Sequence, residues 1–226
     1  MTVKLISVTK PTIPGVDTAE ELVAYVARIS NPSNQLNKET SSKLIKYLIK
    51  NKHWSPFEMV SVCMEIVTTR DIARQILRHR SFSFQEFSQR YADPVKELNF
   101  VARATRLQDV KNRQNSLEID INVDKQRQLA YMWERFQDDI TEKTKDIYSW
   151  AISNGIAKEQ ARAILPEGLI ESKLYMNGTL RSWLHYVLLR TDIATQKEHR
   201  EIADSCKDIL TKEFPAIAEI IDELNL

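Results

Sequence analysis

The chain has 226 residues, 42% of them hydrophobic and 28% charged, with 32 basic side chains against 31 acidic ones and a net charge of +1. This is the composition of an ordinary globular protein, and the near balance of charge argues against a nucleic-acid coat or a polybasic membrane anchor, both of which need a surplus of Lys and Arg. No apolar run approaches a membrane span, residues 1–10 lack a signal-peptide pattern, and the four glycines form no glycine-rich phosphate loop.

The expectation is therefore a single cytoplasmic domain over residues 1–226, in which any nucleotide is held by side chains, chiefly Arg. In chain order, residues 3–9 read as a short strand broken by Pro11, Pro14 and Gly15. Asp17 or Thr18 can cap a helix to Ile29, and residues 38–51 form a second helix on Leu44, Ile45, Leu48 and Ile49. Pro56 holds Ser55 extended, and residues 57–69 read as a long strand covered on both faces. Residues 71–80 show an apolar helical arc of Ile72, Ala73, Ile76 and Leu77, with Arg74, Gln75, Arg78 and His79 opposite. A short strand is expected at 98–102 and a surface connection at 106–122.

Residues 123–154 carry a long helical pattern through Leu129, Met132, Trp133, Phe136, Ile140, Ile147 and Trp150, stopped by Gly155. Another helix spans 157–165, a strand 169–176, and Asn177-Gly178 reads as a turn or helix entry. Thr179 can cap a helix to about Ala194, and helices over 196–212 and 215–224 close the chain. Strands and helices alternate irregularly, which favours α+β with an antiparallel sheet over a doubly wound fold. Cys63 and Cys206 have no ligand-like neighbours and read as core residues, so no metal site is expected.

The densest chemistry lies in Arg78-His79-Arg80-Ser81-Phe82-Ser83-Phe84-Gln85-Glu86-Phe87-Ser88-Gln89-Arg90-Tyr91. If extended, Phe82, Phe84, Glu86, Ser88 and Arg90 share one face. A carboxylate, a hydroxyl and a guanidinium beside two rings suit a ligand better than a core. Basic groups interleaved with Phe could also stack nucleic-acid bases, though the balanced charge argues against that.

Arg78-His79-Arg80, seven residues and Ser88 resemble the signature of the flavin-dependent thymidylate synthases. Its longer form, RHRxxSxNExSxRY, matches at Arg78, His79, Arg80, Ser83, Glu86, Ser88, Arg90 and Tyr91, with Gln85 where Asn is usual. His53-x-Ser55-Pro56-Phe57-Glu58 is similar to the family's H-x-[ST]-P-F-E. Ala161-Arg162 through Leu165-Pro166 is similar to A-R-x-x-L-P. Gly178-Thr179-Leu180-Arg181 through His185, Leu189-Arg190, Asp192 and Gln196 resembles its closing helix, with His185 where Asn is common and Ala194 where many members have His.

The resemblance implies the thymidylate synthase-complementing protein fold, a small antiparallel sheet flanked by helices and assembled as a homotetramer with active sites shared between subunits. It implies conversion of dUMP to dTMP, with 5,10-methylenetetrahydrofolate as carbon donor, FAD as cofactor and NADPH as reductant. Catalytic roles fall to Arg190 and His53. Cofactor contacts fall to Ser55, Glu58, Arg78, His79, Arg80, Gln85, Glu86, Thr179, Arg181, His185 and Leu189. Substrate contacts fall to Gln75, Arg78, Glu86, Phe87, Ser88, Gln89, Arg90, Arg162 and Arg190. Arginine suits these tasks because its planar fork donates two parallel hydrogen bonds to a phosphate, and beside a buried stripe its charge can stabilise an electron-rich uracil ring. With both cysteines in the core and no base beside Ser88, no protein nucleophile is expected.

Overall fold

The computed structural model describes residues 1–221. Its centre is a four-stranded sheet in the order β1 (Thr2–Val8), β2 (Ser61–Thr69), β6 (Glu171–Thr179) and β3 (Phe82–Glu86), with every neighbouring pair antiparallel. β4 (Arg106–Gln108) and β5 (Ser116–Glu118) form a separate hairpin. The helices are α1 (Ala19–Ala27), α2 (Ser41–Lys50), α3 (Arg70–Ile76), α4 (Pro94–Glu97), α5 (Asp124–Ser153), α6 (Lys158–Ala161), α7 (Leu180–Arg190), α8 (Lys197–Glu213) and α9 (Pro215–Ile221). The expected α+β class with a small antiparallel sheet is what the chain forms. The end of the last expected helix, 222–224, lies outside the described residues.

Alternation along β2 and β6 puts Val62, Met64, Ile66, Leu174 and Met176 on one face, where they are buried with Phe82 beneath Trp183, Leu184 and the helices α8 and α9. Trp183 lies wholly inside, and its Nε1–H donates to the carbonyl of Val62 over 2.9 Å, so its one polar group is satisfied. The opposite face is polar. Lys4, Glu65, Tyr175 and Gln85 lie in register across all four strands, and the Tyr175 hydroxyl donates to Glu65 over 2.9 Å. The strand expected from Phe57 thus starts at Ser61 after a 3-10 turn, Ser55–Met59, and is covered on one face only. Cys63, expected in the core, sits half-buried on the open face, whereas Cys206 is fully buried. Burial raises the pKa of both thiols.

Gly178 is no turn but part of β6, paired with Phe82. A Cβ there would stand 2.4 Å from the Phe82 ring, so the glycine lets the ring lie against the backbone. The 106–122 connection contains the β4–β5 hairpin, the 98–102 strand is reduced to a single bridge between Phe100 and Ile170, and the 157–165 helix breaks into α6 and a 3-10 turn, Arg162–Ile164. α2 ends in a Schellman motif: Lys52 N–H bonds to Ile49 O, His53 N–H bonds to Leu48 O over 2.8 Å, and Lys52 takes φ 59 where glycine is usual.

α5 forms where the helical pattern over 123–154 predicts it. Its apolar stripe, Leu129, Met132, Trp133, Phe136, Ile140, Ile147 and Trp150, is exposed on the single chain, Trp150 at 60%. What α5 buries is Gln137, Thr144, Tyr148 and Ala151. Among the described residues, no helix is long and apolar enough to cross a membrane.

Candidate active site

The β2–β6 register decides the first part of the site. Thr179 pairs with Ser61, so the start of α7 lies beside the 3-10 turn that precedes β2. Glu58 on that turn accepts from the Thr179 hydroxyl at 2.7 Å and from Arg181 at 2.6 Å. Arg181, then Thr179, holds the Glu58 carboxyl below its ordinary range. Thr179 also caps α7 by accepting from Ser182 N–H. Trp54 and His185 pack ring against ring at 4.8 Å. Desolvation, then the Arg181 cation, lowers the pKa of His185. Ser55 opens the turn and is exposed, as is His53, which meets the edge of Tyr47 at 6.0 Å.

The second part lies at the far end of α7, about 14 Å along the helix from Arg181 at 1.5 Å per residue. α3 ends at Ile76, four residues short of expectation, so Arg78 and His79 sit in the turn that follows it. His79 Nε2 accepts from Arg190 Nε over 2.9 Å, and its ring meets Tyr186 edge-on at 4.9 Å. Burial, then Arg190 and Arg78, lowers the His79 pKa to about 4, so the imidazole is neutral and carries its proton on Nδ1. Among the described residues the two terminal nitrogens of Arg190 have no hydrogen-bond partner. Arg78 and Arg80 are exposed and have no acidic partner among the described residues.

The third part lies beyond β3. That strand stops at Glu86, so Ser88 and Arg90 do not continue its face as expected but lie in the following turn. Glu86 accepts from the Ser172 hydroxyl at 2.7 Å and lies 3.6 Å from Arg70. Arg90 pairs with the Glu159 carboxylate at 3.7 Å, while Arg162 donates to the Glu159 carbonyl at 3.4 Å. The two guanidinium groups therefore meet around one residue. Ser88 Oγ accepts from Arg90 N–H at 3.4 Å, and among the described residues no base is hydrogen-bonded to it. Phe87 is half-buried, and Gln89 is 4% exposed with its Nε2 unpartnered. Gln85 points to the open sheet face, away from Glu86, and Leu189 is exposed. Among the described residues, no group of three or more His, Cys, Asp or Glu side chains is placed to hold a metal ion.

The named residues thus form three separate walls rather than one closed pocket within the chain. The structure adds residues that the sequence reading passed over: Trp54 against His185, Arg70 beside Glu86, and Tyr186, His199 and Glu198 beneath Arg190 and Gln75. His199 had a signal. It precedes Ile202, Ala203, Cys206 and Leu210 at helical spacing, which places a histidine on a buried stripe.

The family model described as "Thymidylate synthase complementing protein" matches residues 6–216. A probable flavin-dependent thymidylate synthase of Paramecium bursaria Chlorella virus 1 is 50% identical over 222 residues, covering 98% of this chain and 99% of that protein. A flavin-dependent thymidylate synthase of Synechocystis is 47% identical over 226 residues, covering 98% and 100%. In fold, the chain is similar to the UMP/dUMP methylase PolB of Streptomyces cacaoi, solved with 5-Br dUMP, at a TM-score of 0.78 and 24% identity over 98% of this chain and 94% of that one.

Proposed function

Since the chain belongs to the thymidylate synthase complementing protein family, the flavin-dependent thymidylate synthases, and is an enzyme, we propose that it converts dUMP to dTMP. In this reading it acts as one cytoplasmic domain, takes its carbon from 5,10-methylenetetrahydrofolate, uses FAD as cofactor and uses NADPH as reductant. The observation that carries the proposal is the placement of Arg190. At the end of α7, its Nε is committed to the neutral imidazole of His79, the residue is half-buried, and among the described residues its terminal nitrogens have no hydrogen-bond partner.

A cation fixed in that way suits a uracil ring that must become electron-rich at C5. Interaction with the ring's carbonyl oxygens favours the anionic form over the neutral one, and only such differential stabilisation speeds the reaction. Arg78, Arg90, Arg162 and Ser88 fit the nucleotide phosphate, with Gln75, Phe87, Gln89 and Glu86 around sugar and base. Unpaired Arg78 and Arg80 fit the requirement of a cofactor with two phosphates and no glycine loop to hold them. Ser55, Glu58, Thr179, Arg181, His185, Gln85 and Leu189 would complete the hold on the flavin, and His53 would stand near the folate. Bound FAD supplies the reducing equivalents. The remaining work, binding, orientation and charge stabilisation, falls to this chain's residues.

The three walls and the exposed apolar face of α5 support a homotetramer with shared sites. Leu129, Trp133, Phe136 and Ile140 recur at alternating steps of four and three, the spacing of a helix–helix seam. The test is purification. The protein should be yellow, bleach with NADPH without air, and then form dTMP from dUMP and methylenetetrahydrofolate. A colourless protein that cannot take up FAD and leaves dUMP unchanged would overturn the reading.

A further inference from the structure

Below Arg190 runs a chain of buried and half-buried polar groups that accounts for each donor in turn. Glu198 is 7% exposed and accepts from Arg106 and from Gln196 Nε2 at 3.0 Å, with Arg103 at 3.4 Å. Burial works against its charge. Its own backbone N–H, Gln196 and the two guanidinium groups outweigh that and keep its pKa low. It is therefore a carboxylate, and a carboxylate can only accept.

That one constraint orients everything above it. Gln196 must turn its NH2 toward Glu198, which leaves its Oε1 to accept from Gln75 Nε2 at 2.8 Å. Gln75 Oε1 then faces His199 Nδ1 at 3.3 Å, so Nδ1 must carry the proton. His199 Nε2, now a bare lone pair, accepts from the Tyr186 hydroxyl at 3.1 Å. Burial raises the Tyr186 pKa well above the ordinary value, so that phenol has a proton to give. Reversing any one amide or ring would set two acceptors or two donors against each other, at the cost of leaving buried polar groups unpaired.

We propose that His199 is a positioning residue: by donating Nδ1–H to Gln75 Oε1 it fixes the Gln75 amide so that the second hydrogen of Nε2 is what the half-exposed side of Gln75 offers to the substrate. The ligand atom at that point must then be an acceptor, such as a hydroxyl or phosphate oxygen of the nucleotide. This rests on Gln75 contacting the substrate, as read above. His199 itself is 0% exposed, so it acts only through Gln75.

Two measurements test it on the full-length, flavin-loaded protein. The nitrogen-15 spectrum of histidine-labelled wild type at neutral pH should show His199 with a protonated Nδ1 and a bare Nε2, assigned by its loss in His199→Asn. A protonated Nε2 instead would overturn the relay, whatever the activity. In kinetics, His199→Leu should raise the KM for dUMP about tenfold, the scale of one misplaced hydrogen bond, with kcat within about twofold. His199→Asn, whose amide N–H can stand near the position of Nδ1, should restore most of the KM. An unchanged KM in His199→Leu, or equal losses in both variants, would overturn the positioning role. If wild type fails to methylate dUMP, the functional reading falls, and the ring spectrum still decides the relay.

Discussion

Arg190 donates to His79 Nε2 over 2.9 Å, so this guanidinium is held by an imidazole that must stay neutral to hold it. Protonation would turn the acceptor into a second donor beside a cation. With the pKa lowered to about 4 by burial, Arg190 and Arg78, the contact survives through the usual histidine range. The kcat profile should therefore show no limb from this pair between pH 8 and 6 and should lose activity only as pH approaches 4. His79→Leu should lower kcat by about 100-fold with a smaller change in KM, and His79→Gln, which keeps an acceptor, should recover part of it.

His199 makes a separate prediction about stability. Its folded pKa is lowered from 6.5 to about 3 by burial, then by Arg190 and His79. Below 6.5 the unfolded chain takes up a proton that the folded one refuses, so stability falls as pH drops from 6.5 toward 3. The slope from this group is about 1.4 kcal/mol per pH unit. Urea unfolding at pH 7, 6 and 5 should show wild type losing more stability than His199→Asn by about that amount per unit over the lower part of the range.

Lys52 holds a left-handed conformation, φ 59, at the end of α2 directly before His53. A side chain costs about 1 kcal/mol there and glycine does not. Lys52→Gly should raise the melting temperature without changing the flavin spectrum, because the Schellman bonds are made by backbone groups.

Gly178 lies under the Phe82 ring. Gly178→Ala should destabilise by about 1–3 kcal/mol, the usual penalty for overpacking. Phe82→Leu combined with it should give back part of the loss, and a denaturant melt of the four combinations measures that coupling.

The exposed stripe of α5 should carry the assembly. Trp133→Glu with Phe136→Glu should reduce the mass in light scattering from tetramer to a smaller species, with flavin lost in parallel. A tetramer that keeps its mass would place the interface elsewhere.

Much of this was legible from residue spacing. β-branched apolar residues marked β2, alternation marked β6, and Thr18 stood at the head of α1 and forms its capping box with Glu21. Other features were not, for physical reasons. A helical stripe such as Trp133–Phe136–Ile140 has the same period whether it faces its own core or another surface, so periodicity could not show that it lies outside the chain's own core. β4 and β5 have three residues each, too few for alternation, and their connection is built by Asp109 accepting from Lys111, Asn112 and Asn115. No spacing signal around Glu198 marked its burial. Only tertiary structure brings Arg103 and Arg106 onto it.

The separation of Arg181 from Arg190 and Arg162 has a genetic corollary. If each catalytic centre borrows its walls from different copies, a lesion at Arg181 and a lesion at Arg162 damage different halves of it. Two inactive alleles of this kind, expressed together or mixed after dissociation, would assemble some centres from undamaged halves alone and regain a fraction of wild-type turnover. Two lesions on the same wall would not.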